Sequence, residues 1–359
     1  MADSQLNVVL LAGRFEVRGT SAYTLRLAEH LADHDVSATI VCADARLVEL
    51  SKRTKLAIRE YPYLSLPVWG RLVMRSLQRD VSIERPNIIH IQSWEMLAEG
   101  TWLARRLGCP LVLTAHDYLP MCSRFRFDPS SMKRVIAVSQ SVKSELLSRV
   151  TLSDEMVTVI HGGVEVSAAP ETLPVLDPGH VPVVGTAGPL ETVKGLPFFL
   201  GAARRVLAVR KQVEFLISGG GPEEGNLRRL VRELEIADHV TFVPNLPDFA
   251  ASLAAMDIFC LPSLRQGLGT IMLEAMAMGK PVIASGVGGV YSVVRNNETG
   301  LVVSPSDSGE LARRILELLG DPVWARAIGE AGRRTVHEQF SIERMVRQTV
   351  DLYREVLSS

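Results

Sequence analysis

Between Leu261 and Pro281 the chain reads LPSLRQGLGTIMLEAMAMGKP. It begins like the end of a buried strand and closes as an alanine- and methionine-rich helix. Gln266 stands in front of the predicted helix and Glu274 inside it, with the glycine-spaced QGLG between strand and helix. A helix beginning near Thr270 leaves N–H groups of its first turn unpaired and has a positive dipole end. Gly267 and Gly269 let the backbone approach a ligand with no Cβ in the way. That is a sound place for a phosphate or a sugar hydroxyl. Glu274, about one turn further in, offers a carboxylate to two vicinal hydroxyls, as on a ribose. The plainer account is a glycine-rich strand-to-helix turn with Glu274 as a solvated helix residue, and spacing alone leaves both open.

The elements that must position these residues alternate along the chain. Short, nearly continuous apolar runs read as parallel strands covered on both faces. They are NVVLLAG, SATIVCA, NIIHIQ, PLVLTAH, RVIAVS and VTVIHGG in the first half. In the second half they are VPVVGTAG, VEFLISGG, HVTFVP, DIFCLP, PVIAS and GLVVS. Helical stretches such as Ala22 to Asp33, Gly225 to Glu235 and Thr270 to Met278 fall between them. The alternation predicts α/β architecture with doubly wound sheets. The proline-rich SAAPETLPVLDPGH, residues 167–180, has no helical or strand period and reads as a linker. It separates an N-terminal domain, 1–166, from a C-terminal one, 181–338. The amphipathic segment at 339–359 reads as a terminal helix that crosses back. Ligands of such sheets bind beyond the carboxyl ends of the strands, and a cleft between two such domains is a natural site.

PSLRQGLGTIMLEAMAMGKPVIAS closely resembles the signature of the group 1 glycosyltransferases, a retaining family with the GT-B fold. The match continues through GVGGVYSVVRNNETGLVVSPSD. Upstream, GPLETVKG and SGGGPEEGNLRRL resemble two further motifs of the family. In the first half TAHDY and RVIAVSQSVKSEL are similar to its acceptor-domain strands, more loosely. The resemblance implies two Rossmann-like domains facing across a cleft, with the last helix packing on the N-terminal domain. It implies a nucleotide-sugar donor held mainly by the C-terminal domain and a glycan or lipid-linked acceptor held by the N-terminal one. Cell-surface polysaccharide, lipopolysaccharide or glycolipid biosynthesis would be the setting. Carried over by position, Lys194 would neutralise the donor diphosphate and Glu274 would accept the ribose hydroxyls. The amides of Gly267, Leu268, Gly269 and Thr270 would face the sugar and phosphates. Gly19 and Thr20, in the loop after the first strand, would approach the diphosphate, and His116 would sit near the transfer centre. Family members of this kind need no bound metal or other cofactor, because protein cations and helix dipoles stabilise the leaving diphosphate.

Four positions depart from the pattern. Gln266 stands where the family has a glutamate that grips the donor sugar, so it counts with Lys194 and His116 among the candidate catalytic residues. Pro189 replaces an arginine at the diphosphate, Ser292 a glutamate, and RGTS a pair of glycines. Arg14, Arg18 and Arg265 are candidates to replace the missing cation. The departures favour altered donor choice. The competing reading is a non-catalytic GT-B scaffold with a decayed donor site, against which the retained Lys194, Glu274 and GLGTIMLEAMAMGKPV count. A sugar-nucleotide epimerase or a phosphorylase fits the local signature less well.

Other signals are weaker. The net charge of −1 gives no argument for nucleic acid. Neither SGGGPEEG nor SGVGGV forms a dinucleotide fingerprint with its distal acidic residue, which argues against a dehydrogenase. His30 and His34 share a predicted helix face without a third metal ligand, and His161 follows a strand near the linker. Cys42, Cys109, Cys122 and Cys260 form no C-x-x-C pair and read as buried reduced thiols. The N-terminus has no signal-peptide pattern, so a cytoplasmic location is expected. From Arg46 to Asp80 eight Lys/Arg stand against three Asp/Glu. Within that stretch residues 66–80 place Arg71, Arg75 and Arg79 on one stripe and Trp69, Leu72, Val73 and Leu77 on an apolar face. Peripheral contact with the inner membrane face would use such a helix; so would ordinary packing on its own sheet.

Overall fold

The computed structural model describes residues 6–15, 19–64, 69–119, 130–166, 174–244 and 249–358, without the side chains of Trp69, Arg71 and Leu72. The chain divides into two compact units, Met1–Gly163 with Ile342–Ser359, and Val164–Ser341.

In the first unit the strands are β1 (Leu6–Leu11), β2 (Val36–Cys42), β3 (Ala57–Glu60), β4 (Ile88–Ile91), β5 (Leu111–Ala115), β6 (Met132–Ala137) and β7 (Val157–Val159). Its helices are α1 (Gly19–Leu31), α2 (Leu50–Lys55), α3 (Trp69–Glu84), α4 (Leu97–Leu107) and α5 (Gln140–Arg149). The strands form one parallel sheet in the order β3-β2-β1-β4-β5-β6-β7. Central strands are apolar on both faces: every residue of β4 and β5 is buried. The edge strand β3 is the one the apolar-run reading misses. Its sequence, AIRE, is half exposed, and its charged side chains pair outward, Arg59 with Glu84 and Glu60 with Arg53.

In the second unit the strands are β8 (Val183–Ala187), β9 (Glu214–Ser218), β10 (Val240–Val243), β11 (Ile258–Leu261), β12 (Val282–Ser285) and β13 (Leu301–Val303). The helices are α6 (Leu196–Val209), α7 (Glu224–Glu233), α8 (Ala250–Ala254), α9 (Thr270–Ala277), α10 (Ser308–Gly320) and α11 (Pro322–Gln339). The sheet is parallel throughout, in the order β10-β9-β8-β11-β12-β13. Helix α12 (Ile342–Ser358) follows, and its buried Ile342, Met345, Val346, Val350, Leu352, Tyr353 and Val356 join the core of the first unit with Leu27 and Leu31 of α1. The expected return of the terminal helix to the N-terminal half is therefore observed. Each half is a doubly wound sheet, as expected.

Both sheets reverse their winding once. The chain leaves β1 toward β2 and β3, then returns to β4 on the other side; it does the same between β8 and β11. At such a switch point two neighbouring loops diverge and leave a crevice beyond the strand ends. The loops after β1 and β4, and those after β8 and β11, are therefore the places to look for chemistry.

Three expectations need correction or refinement. Gly19 and Thr20 do not lie in a loop: they form the first turn of α1, where the Thr20 carbonyl accepts from Thr24 Oγ1 at 3.0 Å. The described end of the expected linker is pinned to the second sheet. Asp257, 4% exposed, accepts from Leu176 N (2.7 Å), Val183 N (2.9 Å) and His180 Nε2 (2.8 Å). On α3, Met74, Leu77 and Val81 are buried while Arg75 and Arg79 are exposed, so that much of its apolar face is spent inside the unit. Residues 66–68 lie outside the described residues.

Candidate functional site

In the second unit the switch point is built from two loops that lock together. Gly195 ends the turn Thr192–Lys194 at φ 64°, and a Cβ there would lie 2.1 Å from the Pro262 carbonyl oxygen. Only glycine fits, and the contact brings the turn against the chain leaving β11. Leu264 N donates to Val193 O at 2.8 Å across the same junction. Lys194 is thereby carried to Gln266, although 72 positions separate them, and its Nζ donates to Gln266 Oε1 at 3.1 Å. Ser263, 1% exposed, donates to the same oxygen at 3.2 Å.

Gln266 leads into α9. Gly269, at φ 95°, precedes the helix and gives it no side-chain cap, and the first turn holds no acidic residue. By contrast Asp307 and Asp321 cap α10 and α11. The start of α9 therefore keeps its partial positive charge. Met272, Leu273, Ala275 and Met276 anchor the helix in the core, and Thr270 and Glu274 are half-buried. The loop is braced from behind by the turn Gly288–Ser292, where Gly289 N donates to Gln266 O at 3.0 Å. The loop 219–221 after β9 packs on 188–190, with Leu190 N donating to Gly220 O at 3.0 Å. This backbone contact accounts for the glycines of SGGGP without a dinucleotide. Lys194, Gln266, Gly267, Leu268, Gly269, Thr270 and Glu274 thus share one region. Pro189 and Arg265 are half-buried in its two loops, and Ser292 lies in the bracing turn.

In the first unit the loops after β4 and β5 bring Gln92 and His116 together, with His116 Nε2 3.2 Å from Gln92 Oε1. Gln92 is fully buried, and its Nε2 has no partner among the described residues. Tyr23 of α1 stands edge-on to the His116 ring, with centroids 4.6 Å apart and planes at 76°. Loss of water around the ring pushes the His116 pKa down to about 3, so the imidazole is neutral near pH 7. Beneath it, His90 is fully buried between Tyr353 Oη (2.5 Å) and Thr114 Oγ1 (2.7 Å), and burial lowers its pKa to about 3 as well. Burial raises the Tyr23 phenol to about 12. Gly19 and Thr20 sit one turn before Tyr23 on α1. Gly13, after β1, lies against Ser93 and Glu95 after β4, closing the switch point on this side.

Gln92, Tyr23 and Ser263 are site residues that sequence reasoning missed. The available signal was a polar residue directly after an apolar strand, in NIIHIQ and in IFCLPS. Arg14 is exposed, and Arg18 lies outside the described residues. His30 Nδ1 donates to Arg26 O and His161 Nδ1 to Val138 O, which are local structural roles. Cys42 and Cys260 are buried free thiols and Cys109 is half-buried and free; Cys122 lies outside the described residues. Among the described residues no cluster of three or more His, Cys, Asp and Glu side chains is arranged to hold a metal ion, and no helix is long and apolar enough to cross a membrane.

Two family models match this chain, Glycosyl transferases group 1 over residues 181–321 and Glycosyltransferase Family 4 over residues 17–168. The chain belongs to the group 1 glycosyltransferases. This glycosyltransferase is 36% identical over 144 residues to the N-acetyl-alpha-D-glucosaminyl L-malate synthase of Bacillus anthracis, a stretch covering 40% of this chain and 38% of that enzyme. It is 28% identical over 300 residues to the 2-deoxystreptamine glucosyltransferase of Streptomyces kanamyceticus, covering 74% and 76%. With the GDP-mannose-dependent monoacylated alpha-(1-6)-phosphatidylinositol monomannoside mannosyltransferase of Corynebacterium glutamicum it shares 38% identity over 173 residues, covering 46% and 45%. Among solved structures, Anabaena HepE in complex with UDP-glucose superposes with a TM-score of 0.82 at 19% identity, over 98% of this chain and 100% of that one. A glycosyltransferase from Rickettsia africae gives 0.79 at 22% identity, over 99% of both chains. The GT-B fold is thereby established.

Proposed function

We propose that this glycosyltransferase moves a sugar from a nucleotide-sugar donor to a glycan or lipid-linked acceptor, with retention at the anomeric carbon. The observation that carries the reading is the Lys194–Gln266–Ser263 cluster set in front of the uncapped start of α9, at the switch point of the second sheet. A cation beside a helix start with no side-chain cap suits a diphosphate. When the anomeric C–O bond breaks, the electron pair leaves with the diphosphate, and Lys194 and the amides of 267–270 stabilise the charge that develops there. In this reading a resident metal ion is not needed for that task. Glu274, half-buried one turn into α9, accepts the ribose hydroxyls.

The acceptor is assigned to the first unit. His116 carries the role near the transfer centre. A neutral imidazole does not repel the positive charge that grows on the sugar, and the low pKa keeps it neutral across the physiological range. Gly19 and Thr20, in the first turn of α1, are assigned to the diphosphate. By their names, the relatives are a synthase of N-acetyl-alpha-D-glucosaminyl L-malate, a 2-deoxystreptamine glucosyltransferase and a phosphatidylinositol monomannoside mannosyltransferase. A cell-surface glycolipid or polysaccharide is the acceptor class we favour, with the protein on the cytoplasmic side and peripheral contact through 66–80. The test is release of nucleoside diphosphate from UDP-, GDP- and ADP-sugars in the presence of a lipid extract, with the product's anomeric configuration read by NMR. Retention with one donor supports the proposal. Inversion would overturn the stereochemical part, and donor binding without turnover on any acceptor would favour the scaffold reading.

A further inference from the structure

The polarity of the amide at position 266 limits what it can offer a bound sugar. A lysine ammonium only donates, so the atom facing Lys194 Nζ at 3.1 Å must be the amide oxygen. Ser263 Oγ donates to that same oxygen at 3.2 Å. A carbonyl oxygen has two lone pairs, and these two donors occupy both. Neither donor is loosely placed: Ser263 is buried, and the turn carrying Lys194 is fixed by the Gly195–Pro262 contact. Both printed bonds of the amide are at its oxygen, the residue is half-buried, and among the described residues no acceptor pairs with Nε2. What Gln266 presents is therefore a pair of N–H donors.

On the reading of this site as the donor site, we infer that Gln266 selects a donor sugar that turns an acceptor-only oxygen toward it. The oxygen is the carboxylate of a uronosyl group or the carbonyl of an acylamino group. A glutamate here accepts only, and so requires a sugar hydroxyl that donates. Gln266, with its oxygen taken, only donates and so favours an oxygen that accepts. A hydroxyl can still accept from Nε2, but it must then place its own proton elsewhere. A carboxylate accepts a charge-assisted bond from Nε2.

Calorimetric titration of the wild type and of Gln266→Glu tests this. The probes are UDP-glucose, UDP-glucuronate and UDP-N-acetylglucosamine, with GDP-mannose and GDP-mannuronate as the guanine series and free UDP and GDP in parallel. In the series that binds, the wild type is expected to hold the carboxylate- or acylamino-bearing donor about tenfold or more tighter than the hydroxyl parent. Gln266→Glu should reverse that order, most strongly for the carboxylate. A preference for the carboxylate alone identifies a uronosyl donor, and for the acylamino sugar alone a carbonyl; both support the inference. If free nucleotide binds but the hydroxyl parent is tightest, or the order is the same in Gln266→Glu, the inference falls and the donor site stands. If no nucleotide or nucleotide-sugar binds, both fall.

Discussion

Replacing Gly289 by alanine should spoil the donor site without unfolding the protein. The residue is buried, and a Cβ built on it would lie 1.9 Å from the Gly267 carbonyl oxygen. It would also lie 2.7 Å from the Gly267 carbonyl carbon and from Leu268 Cα. A carbon and an oxygen settle no closer than about 3.3 Å, so roughly 1.4 Å must be recovered. All three atoms are backbone, so no rotamer change relieves the clash. The QGLG loop has to move, and the 3.0 Å bond from Gly289 N to Gln266 O stretches or breaks. Overpacking of this kind costs about 1–3 kcal/mol of stability. Helix α9 keeps its anchors Met272, Leu273 and Met276, so the unit should still fold with a lowered Tm. A displacement of about 1 Å at a reacting group costs on the order of a hundredfold in rate. Turnover, followed as nucleoside diphosphate release, should fall by about that factor, with donor affinity weakened in calorimetry. Gly225→Ala, on the exposed start of α7 with open space around its Cβ, is the control and should change neither. Wild-type donor affinity and rate in Gly289→Ala would refute the claim that the turn Gly288–Ser292 braces the donor loop.

Three further outcomes follow from the buried groups. His90 ionises near 6.5 when unfolded but only near 3 when folded, so the unfolded state binds more protons between those values. His90 should contribute its full stabilisation above pH 6.5 and about 2 kcal/mol less at pH 5, read as the difference in urea denaturation between wild type and His90→Gln; equal pH dependence in His90→Gln would contradict this. His116 also titrates near 3, so kcat/KM between pH 5.5 and 8 should show no inflection from it. An inflection in the wild type that disappears in His116→Asn would count against a neutral imidazole. Asp257→Asn places an NH2 against donors at Leu176 N or at Val183 N and His180, and should lower stability by about 1.5–3 kcal/mol in denaturant titration. An unchanged midpoint would mean the 174–183 segment is held by other contacts.

The strands were legible because most are covered on both faces, which leaves uninterrupted apolar runs such as IFCL and LVLTA. Strand β3 was not, because an edge strand keeps charges: Arg59 and Glu60 spend theirs on neighbours across the surface. The start of α1 was placed three residues late, since Gly19 and Thr20 are poor helix formers whose place is set by the buried stripe Tyr23, Leu27 and Leu31. At the candidate site, the types and positions of Lys194, Gln266 and Glu274 could be read from the chain. The bond between Lys194 and Gln266 could not, because it depends on the order in which β8 and β11 meet in the sheet. Gln92 was hidden for a related reason. A glutamine after an apolar strand reads as a solvated end, and only the fold shows that it is buried against His116.

The central claim is that the second unit holds a nucleotide-sugar through Lys194, the amides of 267–270 and Glu274. Its most direct test is titration calorimetry of UDP-glucose and GDP-mannose into the wild type and Glu274→Ala. The account predicts saturable binding of at least one donor by the wild type. It further predicts that Glu274→Ala weakens that binding about ten- to a hundredfold, through loss of charge-assisted bonds to the ribose. Binding that is unaffected by Glu274→Ala, or no binding by the wild type, would contradict it.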